Sequence, residues 1–404
     1  MILLFHTPDW MSEQWLGTAD SIAITFVVFI MGVPALIFQT FIAGSLRDVY
    51  NERLGKGWTL LFFVQLFLIM VLFALSNSGI YQDVLPKYTH NCLPWVVISV
   101  LITVLGLGFY SLVKNFKSSR NIEKQLSEKI ARDAVLHFKK NNQKALTKDL
   151  EDLGVLAQEL RSGRVKNDFL KECEFLVEFL LNVPQKQRDP KLIAEILTKV
   201  VCLSVTYDGA QFNQENMRKA LEILGFTCSY TQHFSSGDTS ASYLNTIIGN
   251  CMREIGIQAM QKADQRPVVM LAMERLSAIE ATSNEMFILG NEALRQGHVQ
   301  PAVGVIRKLG GKVRGTIAQG EPKKEDDKRT FYFWIGLVAK VSNMGNSARQ
   351  FARRRLQTTL PQHTDAQPEL LDLIREAQLH FYKMADFETA DAVQRLEYDL
   401  TGHS

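Results

Sequence analysis

Three windows in the first quarter of the chain contain no Asp, Glu, Lys or Arg, and each is 26 residues long: Ser21–Leu46, Gly57–Gln82 and Tyr88–Val113. A helix rises about 1.5 Å per residue, so about 20 apolar residues cross the hydrocarbon of a bilayer. Hydrocarbon offers no partners to backbone N–H and C=O groups, so such a crossing segment is helical. The alternative is a large soluble core built from three long hairpin helices. Helices of that kind carry a hydrophilic stripe, and Leu60–Leu75, polar only at Gln65, has none. The expectation is therefore a mainly α protein. Three transmembrane helices come first, and a cytoplasmic all-helical domain of α-solenoid type follows.

Aromatic residues mark the edges of these windows. Trp10 and Trp15 precede the first, Trp58 and Tyr81 bracket the second, and Trp95 and Tyr110 lie within the ends of the third. Amphipathic rings favour the headgroup level. Basic residues set the orientation by the same principle. The tail 1–20 has none, and the first loop has Arg47, Arg53 and Lys56. The second loop has only Lys87, and six follow the third window between Lys114 and Arg132. This alternation predicts an N-terminus outside and a C-terminus in the cytoplasm. Residues 1–5 are too short and uncharged for a cleaved leader. No ionisable residue of the Asp, Glu, Lys or Arg type enters the windows, which argues against a proton relay or an ion pump. Pro34 beside Gly32 predicts a kink in the first helix. Gln39 and Gln65 fall at similar depth in an antiparallel pair. They serve either as interhelical glue, worth roughly 0.6–2 kcal/mol, or as a polar ring lining a pore in an oligomer.

Taken over the whole chain the composition is ordinary, 47% hydrophobic and 22% charged with a net charge of +3. That balance excludes a strongly basic nucleic-acid binder as the default. Cys92, Cys173, Cys202, Cys228 and Cys251 are scattered without a CxxC, so no disulfide framework is implied. Ile122, Leu126, Ile130, Ala134 and Phe138 recur every four residues and predict a juxtamembrane helix within 114–145. Leu146, Leu150, Leu153, Ala157 and Leu160 open a helical domain over 146–248. Arg188–Pro190 reads as a loop before a helix over Leu192–Val205, although the β-branched stretch Val200–Val205 also suits a strand. Asp238 or Ser240 is placed to cap the helix that follows.

A recurrence then organises the second half. Ile255-Gly-Ile-Gln-Ala259 returns as Leu289-Gly-Asn-Glu-Ala293 and as Ile335-Gly-Leu-Val-Ala339. The first two copies are 34 residues apart, and Ala263 matches Gly297 and Pro267 matches Pro301 at that spacing. The third lies 46 residues further on, the surplus being a charged insertion at 320–329, and Ala348 falls where Ala302 does. This pattern over residues 249–360 resembles the tetratricopeptide repeat, in which small residues let paired antiparallel helices approach closely and stack. The family's early Trp and its Tyr are absent from all three copies. A last hairpin at 369–400, with Met384–Ala390 at its turn, resembles the hairpin of the excision-repair coupling motif and equally a terminal repeat. It reads as a cap on the stack. The windows and the basic helix behind them resemble an uncharacterised family of bacterial predicted membrane proteins, usually with four segments rather than three. That resemblance implies a bacterial inner membrane and no activity.

Catalytic patterns are missed narrowly. Gly310–Thr316 resembles a phosphate loop, but Thr316 stands where Lys should follow the last glycine. The eight histidines show no metal-ligand spacing. Cys251 with His233 reads more simply as a buried structural cysteine than as a nucleophile. No cofactor, metal or catalytic residue is expected. One constellation points to binding. Arg307 and Lys308 precede Arg353 and Arg354 by the same 46 residues, flanked by Lys312, Arg314, Arg349 and Arg355. Stacking would align them as a basic stripe that captures phosphates, lipid headgroups or an acidic protein partner. The plainer reading is a solvated face paired with its own acids. The expected function is a membrane-tethered interaction module, possessing a protein partner and able to form a homo-oligomer. The alternative is an oligomeric channel or membrane-disrupting effector gated by the stack.

Overall fold

The computed structural model describes residues 44–50, 52–53, 122–160, 163–184, 187–206, 213–231, 239–261, 266–279, 282–317, 325–359 and 368–401. The described residues are mainly helical and contain no strand. No helix among them is long and apolar enough to cross a membrane. The three uncharged windows, apart from Gly44–Leu46, lie outside the described residues, as do Gln39, Gln65 and Cys92. Two compact units divide the chain at residue 159.

In the first unit, α1 (Gly44–Tyr50), α2 (Ile122–Lys139) and α3 (Gln143–Glu159) pack together. Helix α2 buries Leu126, Ile130 and Ala134 on one side, and α3 buries Leu146, Leu150, Leu153 and Leu156. The reversal between them is compact. Asn141 takes a positive φ of 53°, and the Asn142 amide donates back to the His137 carbonyl at 2.9 Å. Asn142 then caps α3, its side chain accepting from the Ala145 amide at 3.3 Å.

The second unit opens with α4 (Gly163–Asn182). A composite helix follows, made of α5 (Pro190–Glu195), a π-helical segment (Ile196–Cys202) and α6 (Leu203–Thr206). Asp189 starts it, accepting from the Lys191 and Leu192 amides with Pro190 in the first turn. The β-branched stretch Val200–Val205 is thus helical rather than strand. Its residues are buried on nearly every side, and Lys166 of α4 donates to the Ser204 carbonyl at 2.7 Å. Tertiary packing overrides the local preference here.

From α7 (Gln214–Thr231) onward, helices alternate in hairpins: α8 (Thr239–Met260) with α9 (Arg266–Ser277), α10 (Ser283–Arg295) with α11 (Val299–Ile317), α12 (Glu325–Ser342) with α13 (Asn346–Thr359), and α14 (Pro368–Lys383) with α15 (Phe387–Thr401). First helices stack as α8, α10, α12, α14, and second helices as α7, α9, α11, α13. Ser240 lies inside α8, so it does not cap that helix; Asp238 is outside the described residues.

The three recurrent glycines hold the stack close. A Cβ on Gly256 would stand 2.8 Å from Leu289 of the next first helix, one on Gly290 would stand 2.9 Å from Leu337, and one on Gly336 would stand 2.7 Å from Phe381. The turn after α10 ends on Gly297 at φ +75°, with the His298 amide donating to the Ala293 carbonyl at 2.7 Å.

Helix α12 is buried over its whole length from Thr330 to Ser342. It is enclosed by α10 and α11 on one side, α13 beneath it, and both helices of the last hairpin. The second half of the charged insertion, Glu325–Arg329, forms its first turns. Three acids there face the positive end of the helix dipole.

Candidate functional site

Helices α11 and α13 are neighbours in the row of second helices. Their interior faces carry Ala302, Val305, Ile306, Leu309 and Val313 on one, and Ala352 and Leu356 on the other. The register between them is fixed at their C-terminal ends. Thr359 Oγ1 lies 3.3 Å from the Cβ position of Gly310, and Arg314 donates to the Thr358 carbonyl. One to two turns earlier on each helix stand Arg307 and Lys308, and Arg353 and Arg354, all four exposed.

Neither helix contains an Asp or a Glu, while each carries four Lys or Arg residues. A solvated face neutralised by its own acids is therefore not available to these two helices. The flanking cations are occupied elsewhere. Lys312 donates to the Ile279 carbonyl at 2.9 Å, and Arg349 pairs with Asp399 at 3.7 Å. The Arg355 guanidinium lies over the Phe351 ring at 5.3 Å. Arg314 is spent on Thr358. Among the described residues, Arg307, Lys308, Arg353 and Arg354 form no ion pair or side-chain hydrogen bond. The four cations singled out from the sequence are those left over when structural duties are assigned.

A second polar surface lies between α10, α12 and α15. It is a groove of about 370 Å³ around Lys340, whose Nζ donates to Asn291 Oδ1 at 2.7 Å and pairs with Glu388 at 3.3 Å. Arg295 and Arg395 line it together with Glu388 and Asp391, so its charges largely cancel. Unneutralised positive potential belongs to the α11 and α13 face instead.

The first unit holds a charge cluster that sequence reasoning did not find. Arg53 bonds Asp133 at 3.2 Å, Asp149 at 2.6 Å and Asp152 at 2.7 Å. Asp149, whose side chain is fully buried, also meets His137 Nδ1 at 2.6 Å. Burial pushes the Asp152 carboxyl upward, against the opposing pull of Arg53. Lys129 donates to the Arg53 carbonyl, and Lys148 pairs with Glu52. The three carboxylates lie 80 to 99 positions from Arg53 in sequence, so no local spacing announces them.

Among the described residues no group of His, Cys, Asp and Glu could hold a metal ion. No family model matches this chain, and no curated protein is significantly similar to it.

Proposed function

We propose that this protein is a membrane-tethered interaction module whose helical stack binds an anionic partner through Arg307, Lys308, Arg353 and Arg354. The observation that carries the reading is the pairing of two neighbouring acid-free helices with four exposed, unpaired cations. Guanidinium groups bind carboxylates and phosphates in bidentate fashion, which suits a multivalent anion spread over two helices. The tether rests on the three uncharged windows and their aromatic borders, with the stack in the cytoplasm of a bacterial inner membrane by the basic-residue bias. The spacing of the stacked hairpins supports a tetratricopeptide-like reading of residues 249–360. No enzymatic activity is part of this proposal.

The test is charge reversal. Arg307→Glu with Arg353→Glu should abolish binding to vesicles carrying anionic lipid or to an acidic peptide, with helicity and melting unchanged. Binding by the unaltered chain should weaken steeply with salt, since exposed charges are screened within about 8–10 Å at physiological ionic strength. Unchanged binding in the double variant would sink the proposal. The partner site would then be sought in the Lys340 groove. Orientation is tested separately: a membrane-impermeant thiol reagent applied to intact cells should reach Cys92 and none of the other four cysteines.

A second reading, an oligomeric channel or membrane-disrupting effector, is favoured by one observation. Arg53, in the loop joining the first two windows, is clamped onto α2 and α3, which would couple movement of that hairpin to the membrane segments. A ring-shaped oligomer that conducts ions in liposomes would favour it. A non-conducting protein would leave the interaction module standing.

A further inference from the structure

Cys202 ends the π-helical segment, and Cys251 lies on the adjacent α8. Both are buried, at 8% and 3% exposure. Each thiol rests on backbone that belongs to the other's surroundings. Cys202 Sγ is 3.8 Å from the Cys251 carbonyl oxygen, and Cys251 Sγ is 3.8 Å from the Leu197 carbonyl oxygen. Leu197 stands five positions before Cys202, and a π-helix directs the amide of residue i+5 at the carbonyl of residue i. The second thiol therefore sits on the carbonyl to which that register directs the Cys202 amide. Each thiol thus reaches backbone on the facing segment, which brings the two cysteines side by side across the packed helices.

Their surroundings make the pair unequal. The neighbouring Cys251 side chain holds the Cys202 thiol below the usual cysteine range despite its burial. Cys251 is pushed up by the neighbouring Cys202 side chain and by burial. Cys173 and Cys228 are also buried, and burial raises both of their thiols. An attacking thiolate with a thiol poised beside it is the arrangement of a reversible redox pair. The π-helical segment adds to this, since such insertions in α-helices concentrate at functional positions.

The geometry points to Cys202 and Cys251 as a reversible disulfide pair, closed by a peroxide and reopened by a thiol reductant. In the first step the Cys202 thiolate attacks one peroxide oxygen, the O–O bond breaks, and the departing hydroxide takes a proton to become water. Cys202 is left as a sulfenic acid. Cys251 sulfur then attacks Cys202 sulfur, the S–O bond breaks, and the leaving hydroxide takes the Cys251 proton as a second water. Two thiols and one hydrogen peroxide give one disulfide and two waters. With the Cys202 sulfur 3.8 Å from the Cys251 carbonyl oxygen, rotation of the two side chains is the main movement asked for in reaching bonding distance, about 2.0 Å. The closed bond would tie the π-helical segment to α8 at the start of the stack.

The test uses the full-length chain in detergent, titrated with hydrogen peroxide without denaturant. Free thiols should fall by two, and non-reducing peptide mapping should join the peptides carrying Cys202 and Cys251. Dithiothreitol should restore both thiols. In Cys251→Ser the reaction should stop at a sulfenic acid on Cys202, trapped by dimedone, whereas Cys173→Ser and Cys228→Ser should form the disulfide as before. The mapping of the unsubstituted chain decides the matter even where a variant fails to fold. Free thiols at Cys202 and Cys251 after peroxide has oxidised another cysteine would overturn the proposal. So would a bond from either residue to Cys173 or Cys228, or oxidation seen only in urea.

Discussion

Leu337 of α12 lies against Gly290 of α10, its Cδ1 only 2.9 Å from the position a glycine Cβ would take. Val305 of α11 stands 3.2 Å from the same position. Gly290 therefore serves two contacts, one with its own hairpin partner and one with the next first helix. A leucine at 290 must displace both neighbours. Overpacking of this kind costs about 1–3 kcal/mol. Gly311, one helix away, has nothing within 4 Å of its Cβ position. Gly311→Ala should stabilise by roughly 0.5–1 kcal/mol through helix propensity alone. Thermal melting of the two variants should thus shift in opposite directions, and a melt unchanged by Gly290→Leu would refute the close approach.

Ala385 carries the reversal between α14 and α15 at φ 58°. Its amide donates to the Tyr382 carbonyl at 3.1 Å, and the Asp386 amide donates to Phe381 at 3.0 Å. Asp386 then caps α15 through the Thr389 amide at 3.1 Å and hydroxyl at 2.6 Å. A Cβ in the left-handed region costs roughly 1–2 kcal/mol. Glycine removes that strain but frees the unfolded backbone, so Ala385→Gly should stabilise by about 0.5–1 kcal/mol, read as a rise in melting temperature. Asp386→Ala should destabilise by about 0.5–2 kcal/mol through loss of the cap.

The glycine recurrence was legible in the sequence because close helix approach demands a small residue at fixed spacing, and Gly256, Gly290 and Gly336 repeat that demand. The cations of α11 and α13 were legible for a similar reason, since the spacing that relates the hairpins also relates Arg307 to Arg353. What Arg53, Lys166 and Cys202 do could not be read off. Their partners are Asp149 and Asp152, Ser204, and Cys251, and only folding brings them near. Helix α12 marks another limit. Phe331–Leu337 lacks a polar stripe because five helices enclose it, and the last hairpin adds two of them by laying α15 as well as α14 against it. Local periodicity could find that hairpin at 369–400 but not the helix it covers.

Lys166 is buried at 1% exposure, and desolvation lowers its pKa from 10.5 to about 8. Unfolded chain holds this proton up to about pH 10.5, and folded chain only to about 8, so the unfolded state binds more protons between those values. Stability should therefore rise with pH across that window, by roughly 3 kcal/mol for a shift of that size. Below about pH 8 the cost of the buried charge is fully present. Lys166→Met should flatten this rise, which chemical denaturation at pH 8 and pH 10 would measure. A slope identical to that of the unsubstituted chain would show that Lys166 does not titrate in this range.

Arg53 faces three carboxylates, and Asp149 among them has no exposed side-chain surface. Removing the guanidinium leaves that charge buried with His137 alone at 2.6 Å. Breaking a buried pair from one side typically costs 3–5 kcal/mol. Arg53→Ala should therefore loosen α2 and α3, seen as faster amide exchange over residues 122–159, with little change in the stack beyond residue 160. Arg53→Lys should recover only part of the protection, because one ammonium lacks the planar fork that reaches Asp133, Asp149 and Asp152 together. Equal protection in the alanine and lysine variants would mean that the fork geometry is irrelevant. Unchanged exchange in both would mean that Arg53 does not hold the hairpin.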